Sequence, residues 1–162
     1  MLRPRKIKDR FLSSDIPESD TGTVLLSFDT VIKTLCRFVR EDLDGSVLAD
    51  YDKIPEGAVF LSMTQLAYAL RLIISALPRK ELLNITFSFT EEEFLISFDG
   101  VLVFSKDSKE QLCLAGRKAG LCVNFTDTGL TLSARREAYI PQKLYQGERE
   151  DLILILRAVF FG

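Results

Sequence analysis

The sequence predicts an α/β domain of two layers, in which helices cover one face of a mixed, mainly antiparallel sheet. Its 162 residues are 47% apolar and 27% charged, which suits one domain with a substantial core. The apolar spacing changes along the chain from the helical period of 3.6 to the strand period of 2 and back. The resulting order of elements, α, β, α, ββ, α, ββ, β, favours a two-layer sandwich.

The first predicted helix follows the short apolar run Val24–Leu26. Ser27 is placed to cap it, and apolar residues then recur at helical spacing until the helix ends near Asp44 and Gly45. A brief strand is predicted at Ser46–Tyr51.

The second predicted helix has the clearest local signature in the chain. Ser62 followed three residues later by Gln65 forms a capping box, and Pro78 closes the helix. One face carries an apolar stripe made of Leu66, Leu70, Ile73 and Leu77. The opposite face is more polar and carries Thr64, Tyr68, Arg71 and Ser75.

Two hairpins and a third helix follow. Alternating apolar residues predict a hairpin from Ile85 to Phe98, and Val101–Phe104 either extends it or forms a strand of its own. The third helix is predicted over Asp107–Ala119, with Asp107 as its cap and Gly120 as a left-handed C-cap. A second hairpin turns at 127–129.

The C-terminal segment is predicted to be a strand buried in the middle of the sheet. Leu152–Phe161 shows no polar alternation, which is typical of a strand covered on both faces. The polar residues 135–150 that precede it predict a loop or lid.

The charge of the chain is uneven. The formal net charge is −2, yet the first ten residues carry +4, which leaves −6 on residues 11–162. We expect residues 1–22 to form a basic arm or linker and residues 23–162 to form one domain. No basic face continues the arm, so a solvated tail is favoured over a binder of nucleic acid or of a membrane surface.

Composition also restricts the chemistry and the compartment. The chain has no histidine, which excludes Ser-His-Asp and Cys-His catalysis, imidazole zinc ligands and a phospho-accepting histidine. Three cysteines without Cys-x-x-Cys spacing indicate core thiols in a reducing compartment. The sequence shows neither a signal peptide nor an apolar run long enough to span a membrane, so we expect a cytoplasmic protein.

The stretch Val24–Gly100 resembles the first half of the ATP-binding domain of sensor histidine kinases, which has the GHKL or Bergerat ATPase fold. The resemblance lies in the order of elements and in the apolar spacing of the helix Ser62–Leu77, and it extends to about residue 134. It implies a bacterial signalling domain with a Bergerat-like sheet and a nucleotide pocket between the second and third helices.

The residues that would bind nucleotide depart from that family. Two asparagines on the family's helix ligate Mg²⁺ and support the phosphates, and the matching positions here are Arg71 and Ser75. Arginine has no acceptor, so Arg71 cannot ligate a metal, although it could hold a phosphate directly. Serine is a weak metal ligand at best.

The adenine and phosphate contacts also differ. The family's Asp-x-Gly places a carboxylate and a glycine against adenine, whereas Asp99 and Gly100 are adjacent, so aligning either one loses the other. Val101–Ala115 contains no glycine, which removes the family's glycine-rich phosphate lid. Gly116 and Gly120 are explained by a buried helix contact and by the C-cap.

These departures favour a non-catalytic pseudo-ATPase domain that acts in signalling by binding a protein partner or a second copy of itself. We expect no catalytic residue, no metal and no cofactor. The alternative is a retained nucleotide-binding module for ATP or ADP, in which Arg71 and either Lys106 or Lys109 neutralise phosphates. Both hypotheses share the same four candidate ligand positions, which are Arg71, Ser75, Asp99 and Gly100.

Overall fold

The computed structural model describes residues 22–162, so the predicted basic arm lies outside the described residues except for Gly22. These described residues form four α-helices, and a 3-10 turn spans Pro141–Lys143. The helices are α1 Phe28–Asp42, α2 Met63–Ser75, α3 Lys106–Ala119 and α4 Arg149–Phe161. The strands are β1 Val24–Ser27, β2 Val47–Asp50, β3 Ala58–Leu61, β4 Leu83–Phe89, β5 Glu93–Asp99, β6 Cys122–Thr126 and β7 Gly129–Arg135.

The main sheet has five strands in the order β2-β4-β5-β7-β6. The pair β2 and β4 is parallel, and the other three pairs are antiparallel. A separate antiparallel pair joins β1 to β3, and the sequence pattern predicts neither segment as a strand. The sheet is therefore mixed and mainly antiparallel, as predicted.

One face of the main sheet is apolar and covered by the helices. On β5, Phe94, Ile96 and Phe98 are almost fully buried, while Leu95 and Ser97 between them are partly exposed. The same alternation continues on β7. This burial pattern confirms the predicted two-layer α/β class with helices on one face.

Two of the three predicted helix starts are confirmed. The hydroxyl of Ser27 accepts from the backbone N–H of Thr30 at 3.1 Å, and that of Ser62 accepts from the N–H of Gln65 at 3.3 Å. The predicted cap of the third helix is wrong, because Ser105 rather than Asp107 accepts the first-turn N–H. A serine and an aspartate two positions apart are both good caps, so the local pattern does not decide between them.

The C-terminal segment is a helix, so its prediction as a central strand is wrong. In α4 the buried residues come in pairs separated by single half-exposed residues, a pattern that only a helix produces from ten mostly apolar residues. The half-exposed Arg157 shows why the strand fails. A strand covered on both faces would bury this charge, whereas the helix places it beside Asp42.

The segment Val101–Phe104 forms no strand and does not extend the hairpin. It runs as an irregular connection past the end of α2, where the N–H of Val103 donates to the carbonyl of Ala76 at 2.8 Å. Among residues 22–162, no helix is long and apolar enough to cross a membrane.

Candidate functional site

The predicted site residues on α2 lie on its exposed side. Arg71 and Ser75 are one turn apart and both are exposed, while Leu66, Leu70 and Ile73 are buried against the core. The apolar stripe predicted for this helix therefore decides its orientation.

Asp99 is the last residue of β5 and Gly100 follows it, so both lie at the end of that strand and not on α2. The N–H of Gly100 donates to the carbonyl of Thr128 at 2.8 Å, and the hydroxyl of Thr128 lies 3.5 Å from Oδ1 of Asp99. A Cβ atom at Gly100 would lie 2.7 Å from the carbonyl oxygen of Leu82. Backbone packing thus requires glycine at this position whether or not a ligand binds.

An open cleft of about 1060 Å³ lies at this end of the sheet. Its walls are the loop 80–82, the segment 99–104, the hairpin turn 125–129 and the side chain of Lys109. The structure therefore brings Asp99, Gly100 and Lys109 to one cleft. Arg71 and Ser75 are not among its lining residues, and α2 contributes none.

Lys109 is already engaged with an aromatic ring inside this cleft. Its Nζ lies 5.2 Å from the ring centroid of Phe125, which is a cation–π distance. Lys106 is exposed at the first position of α3 and is not part of the cleft wall.

The connection from β5 to α3 is short and fixed at both ends. It comprises residues 100–105, the position where the resemblance places a phosphate-binding lid. The hydrogen bond from Val103 to Ala76 holds its middle, and Ser105 caps α3 at its end. Leu102 and Phe104 pack against the core, whereas Val101 and Val103 are 55% and 67% exposed.

Three exposed apolar side chains on this cleft are not among the residues that the sequence predicts for the site. Leu82, 57% exposed, lies in the cleft wall together with Val101 and Val103. The exposure of the two valines could have been predicted from Val101–Phe104, where four apolar residues are consecutive. An extended segment with one buried face must expose every second side chain. No local pattern marks Leu82.

The two remaining glycines of this region have the structural roles predicted for them. A Cβ at Gly116 would lie 2.5 Å from Cγ2 of Val123, so α3 packs closely on β6 at this point. Gly120 has φ of +94° and forms the left-handed C-cap of α3.

The cysteines are free thiols in three different environments. Cys36 is buried, and this burial, with a smaller contribution from Asp50, raises the pKa of its thiol to about 11. Cys113 is half-buried and Cys122 is exposed on β6, so the prediction of three core thiols is wrong for Cys122. An edge strand with one face in solvent accounts for this exposure. Within residues 22–162, no group of three or more potential metal-ligating side chains is present.

Comparison with known proteins yields similar structures only. No family model matches the chain, and no curated protein sequence matches it. The cytoplasmic segment of histidine kinase QseC aligns with 84% of this chain and 91% of its own, at a TM-score of 0.42 and 8% identity. Histidine kinase AdeS of Acinetobacter baumannii aligns with 85% of this chain and 74% of its own, at a TM-score of 0.47 and 11% identity.

Proposed function

We propose that this chain is a non-catalytic domain of the histidine-kinase ATPase type that serves as a protein-interaction module in signalling. The observation that carries the proposal is the exposed aliphatic group formed by Leu82, Val101 and Val103 on the wall of the 1060 Å³ cleft. Exposed apolar side chains gathered on one surface are typical of sites where proteins bind each other.

The backbone presents these side chains in a fixed arrangement. The close approach of Gly100 to Leu82 joins the α2–β4 loop to the β5–α3 connection, and the bond from Val103 to Ala76 anchors that connection on α2. A surface held in this way loses little conformational entropy when a partner binds.

The charges around the cleft favour a protein over a nucleotide. Three carboxylates and two ammonium groups line it, namely those of Glu81, Asp99, Asp127, Lys80 and Lys109. A triphosphate would meet a net negative rim, whereas a protein surface with apolar side chains and charges of both signs would be complementary to it.

The test replaces Val103 with a photo-crosslinking amino acid in the full chain, which is expressed in its native host. We expect one protein to be crosslinked from position 103 and not from Phe60, a matched exposed apolar residue on β3. The purified pair should then bind, and Val103→Glu should weaken the affinity by about tenfold or more. Crosslinking from both positions alike, or an affinity unchanged by Val103→Glu, would refute the proposal.

The partner of the interaction module could also be a second copy of this chain. Sedimentation of the purified chain over a range of concentrations measures this self-association directly. A dimer that is lost in Val103→Glu and retained in Phe60→Glu would identify a second copy as the partner.

Nucleotide binding is the second candidate function, because Asp99, Gly100 and Lys109 line one cleft large enough for a small molecule. In this alternative the Asp99 carboxylate accepts from an adenine amino group and Lys109 leaves the ring of Phe125 to contact phosphate. Calorimetry with Mg-ATP separates this alternative from the interaction module.

A further inference from the structure

A second cleft, of about 320 Å³, lies between α1, α4 and the end of β2. Four of its lining residues are cationic: Lys33, Arg37, Arg40 and Arg149. The remaining walls are Thr34, Cys36, Tyr51 and Ile153. No carboxylate is among these lining residues, although the residues of the chain beyond position 10 carry an excess of acidic side chains.

The cations come from two elements that are distant in sequence. Lys33, Arg37 and Arg40 form one stripe along α1, at the spacing that places helical residues on a common face. Arg149 is the first residue of α4, so its guanidinium and the partly positive N-terminus of that helix lie on the other side of the cleft.

Carboxylates that are not among the lining residues bond to these cations without using all their donors. Asp29 binds both Lys33 and Arg149 at 3.0 Å, which occupies one of the five N–H groups of Arg149. Among the described residues Arg40 has only a long ion pair, 3.9 Å, with Glu41, and its side chain is 73% exposed. Most of the donors of Arg40 and Arg149 therefore remain available to a ligand.

Arg37 is the most constrained cation of the four. Its guanidinium donates to both oxygens of Glu41 and to both oxygens of Glu150, which ties α1 to the start of α4. These bonds use three of its five N–H groups and fix the width of the cleft.

A buried hydroxyl in the wall is a second, independent sign of a ligand. Thr34 is 2% exposed, and its Oγ1 has no hydrogen-bond partner among the described residues. Buried hydroxyls are nearly always hydrogen-bonded, so a group that reaches Oγ1 through the cleft wall would supply the bond that the protein does not.

We propose that this cleft binds a phosphomonoester of small-molecule size, whose phosphate is held by Arg40, Arg149 and Lys33. A phosphate dianion offers three oxygens to several donors at once, and the arginine fork matches its geometry. Tyr51 and Ile153 supply an aromatic and an aliphatic wall for the group that carries the phosphate. The small volume of the cleft and the acidic body favour a small phosphomonoester over a nucleic-acid backbone as the ligand.

The cleft binds its ligand and performs no covalent chemistry on it. The only nucleophilic sulfur in its wall is the buried thiol of Cys36, which stays protonated at neutral pH. No histidine or carboxylate is among the lining residues.

Calorimetry at low ionic strength tests the proposal with three probes: phenyl phosphate, inorganic phosphate and benzoate. We expect phenyl phosphate to bind best, inorganic phosphate to compete with it, and benzoate to bind at least about tenfold more weakly because it has one charge and two oxygens. Arg40→Gln and Arg149→Gln should each weaken phenyl phosphate by about tenfold. Arg117→Gln, which changes an exposed arginine of α3, should leave the affinity unchanged.

Substitution of Thr34 tests the contribution of its hydroxyl to affinity without changing the charge of the cleft. Thr34→Val keeps the shape of the side chain and should weaken phenyl phosphate several-fold, while Thr34→Ser should retain the affinity. Binding that is lost in Arg71→Gln and kept in Arg40→Gln would assign the phosphate to α2 and overturn the proposal. Equal binding of benzoate and phenyl phosphate, or no binding of either, would also overturn it.

Discussion

Nε of Arg157 in α4 donates to Oδ2 of Asp42, the last residue of α1, at 2.8 Å, and its Nη2 donates to Glu41 at 3.1 Å. The side chain of Asp42 is 18% exposed and that of Arg157 is 29% exposed. Water and salt therefore screen this pair less than the exposed pairs elsewhere on α1.

We expect Arg157→Ala to lower the free energy of unfolding by about 1–2 kcal/mol, because it leaves the half-buried carboxylate of Asp42 without its partner. Urea denaturation measures the change, and Arg117→Ala on α3 is the exposed control. A double-mutant cycle with Asp42→Ala should give a coupling energy above about 0.5 kcal/mol. Strictly additive effects would mean that the pair does not connect the two helices.

The helical state of the C-terminal segment makes a second prediction. Leu156 is fully buried and Leu154 is half-buried in α4, whereas a strand would place both on the same face. Leu156→Ala should cost roughly 2–4 kcal/mol of unfolding free energy, clearly more than Leu154→Ala. Equal losses at the two positions, measured by urea denaturation, would contradict the helix.

Truncation after Glu150 is expected to destabilise the fold severely, because most apolar side chains of α4 are buried. It removes the helix that covers α1 and α2 and would expose their apolar faces to water. The shortened chain should be insoluble, or compact with exposed apolar surface that binds a hydrophobic dye. A truncated chain with an unchanged melting temperature would contradict this expectation.

Local signals made much of the fold predictable. Caps such as Ser27 and Ser62, the C-cap at Gly120 and the two alternating hairpins depend on residues close in sequence, and the structure confirms each of them. The structure of Leu152–Phe161 was not decided locally, because nine apolar residues and one arginine in sequence suit either a buried strand or a buried helix. Contacts with α1 and α2, distant in the chain, decide between them.

The surfaces were less predictable than the elements. Asp99 and Gly100 were singled out by their likeness to the family's Asp-x-Gly, whereas the exposure of Leu82 depends on how the α2–β4 loop meets Gly100. The cleft between α1 and α4 joins Asp29 to Arg149 across 120 positions. No spacing rule reveals such a pairing, since it exists only after α4 packs on α1.

The packing of Gly100 gives a prediction that is independent of any ligand. Gly100→Ala should lower the free energy of unfolding by roughly 1–3 kcal/mol, because the new methyl group would meet the carbonyl of Leu82 at 2.7 Å. Gly45→Ala is the matched control, since a Cβ there has no neighbour within 4 Å. Thermal unfolding followed by circular dichroism measures both variants, and equal melting temperatures would contradict the close approach.

The ion pair between Arg37 and Glu150 should make stability depend on pH. Hydrogen bonds from Arg37 hold the pKa of the Glu150 carboxyl below its ordinary value of 4.5. A carboxyl whose pKa is lower in the folded state stabilises the protein above its unfolded pKa, and this contribution is lost as the pH falls through the folded pKa.

We therefore expect Glu150→Gln to lower stability at pH 7, with the difference from the unmodified chain shrinking as the pH falls below about 4.5. Unfolding by urea at a series of pH values measures this difference. In an Arg37→Gln background the pH-dependent effect of Glu150→Gln should disappear. A difference that grows towards acidic pH would reverse the sign and contradict the pairing.

The last prediction is that the chain does not hydrolyse ATP and binds Mg-ATP and Mg-ADP weakly or not at all. Arg71 puts a cation where the resemblance needs a metal ligand, and it lies outside the cleft that contains Asp99. The connection that would form a phosphate lid is instead short, and Val103 is bonded to Ala76. Titration calorimetry with both nucleotides measures the affinity. A dissociation constant in the low micromolar range that is abolished by Asp99→Asn would establish the nucleotide-binding alternative, whereas weak binding that is independent of Mg²⁺ and lost in Arg71→Ala would identify a metal-free anion site on α2.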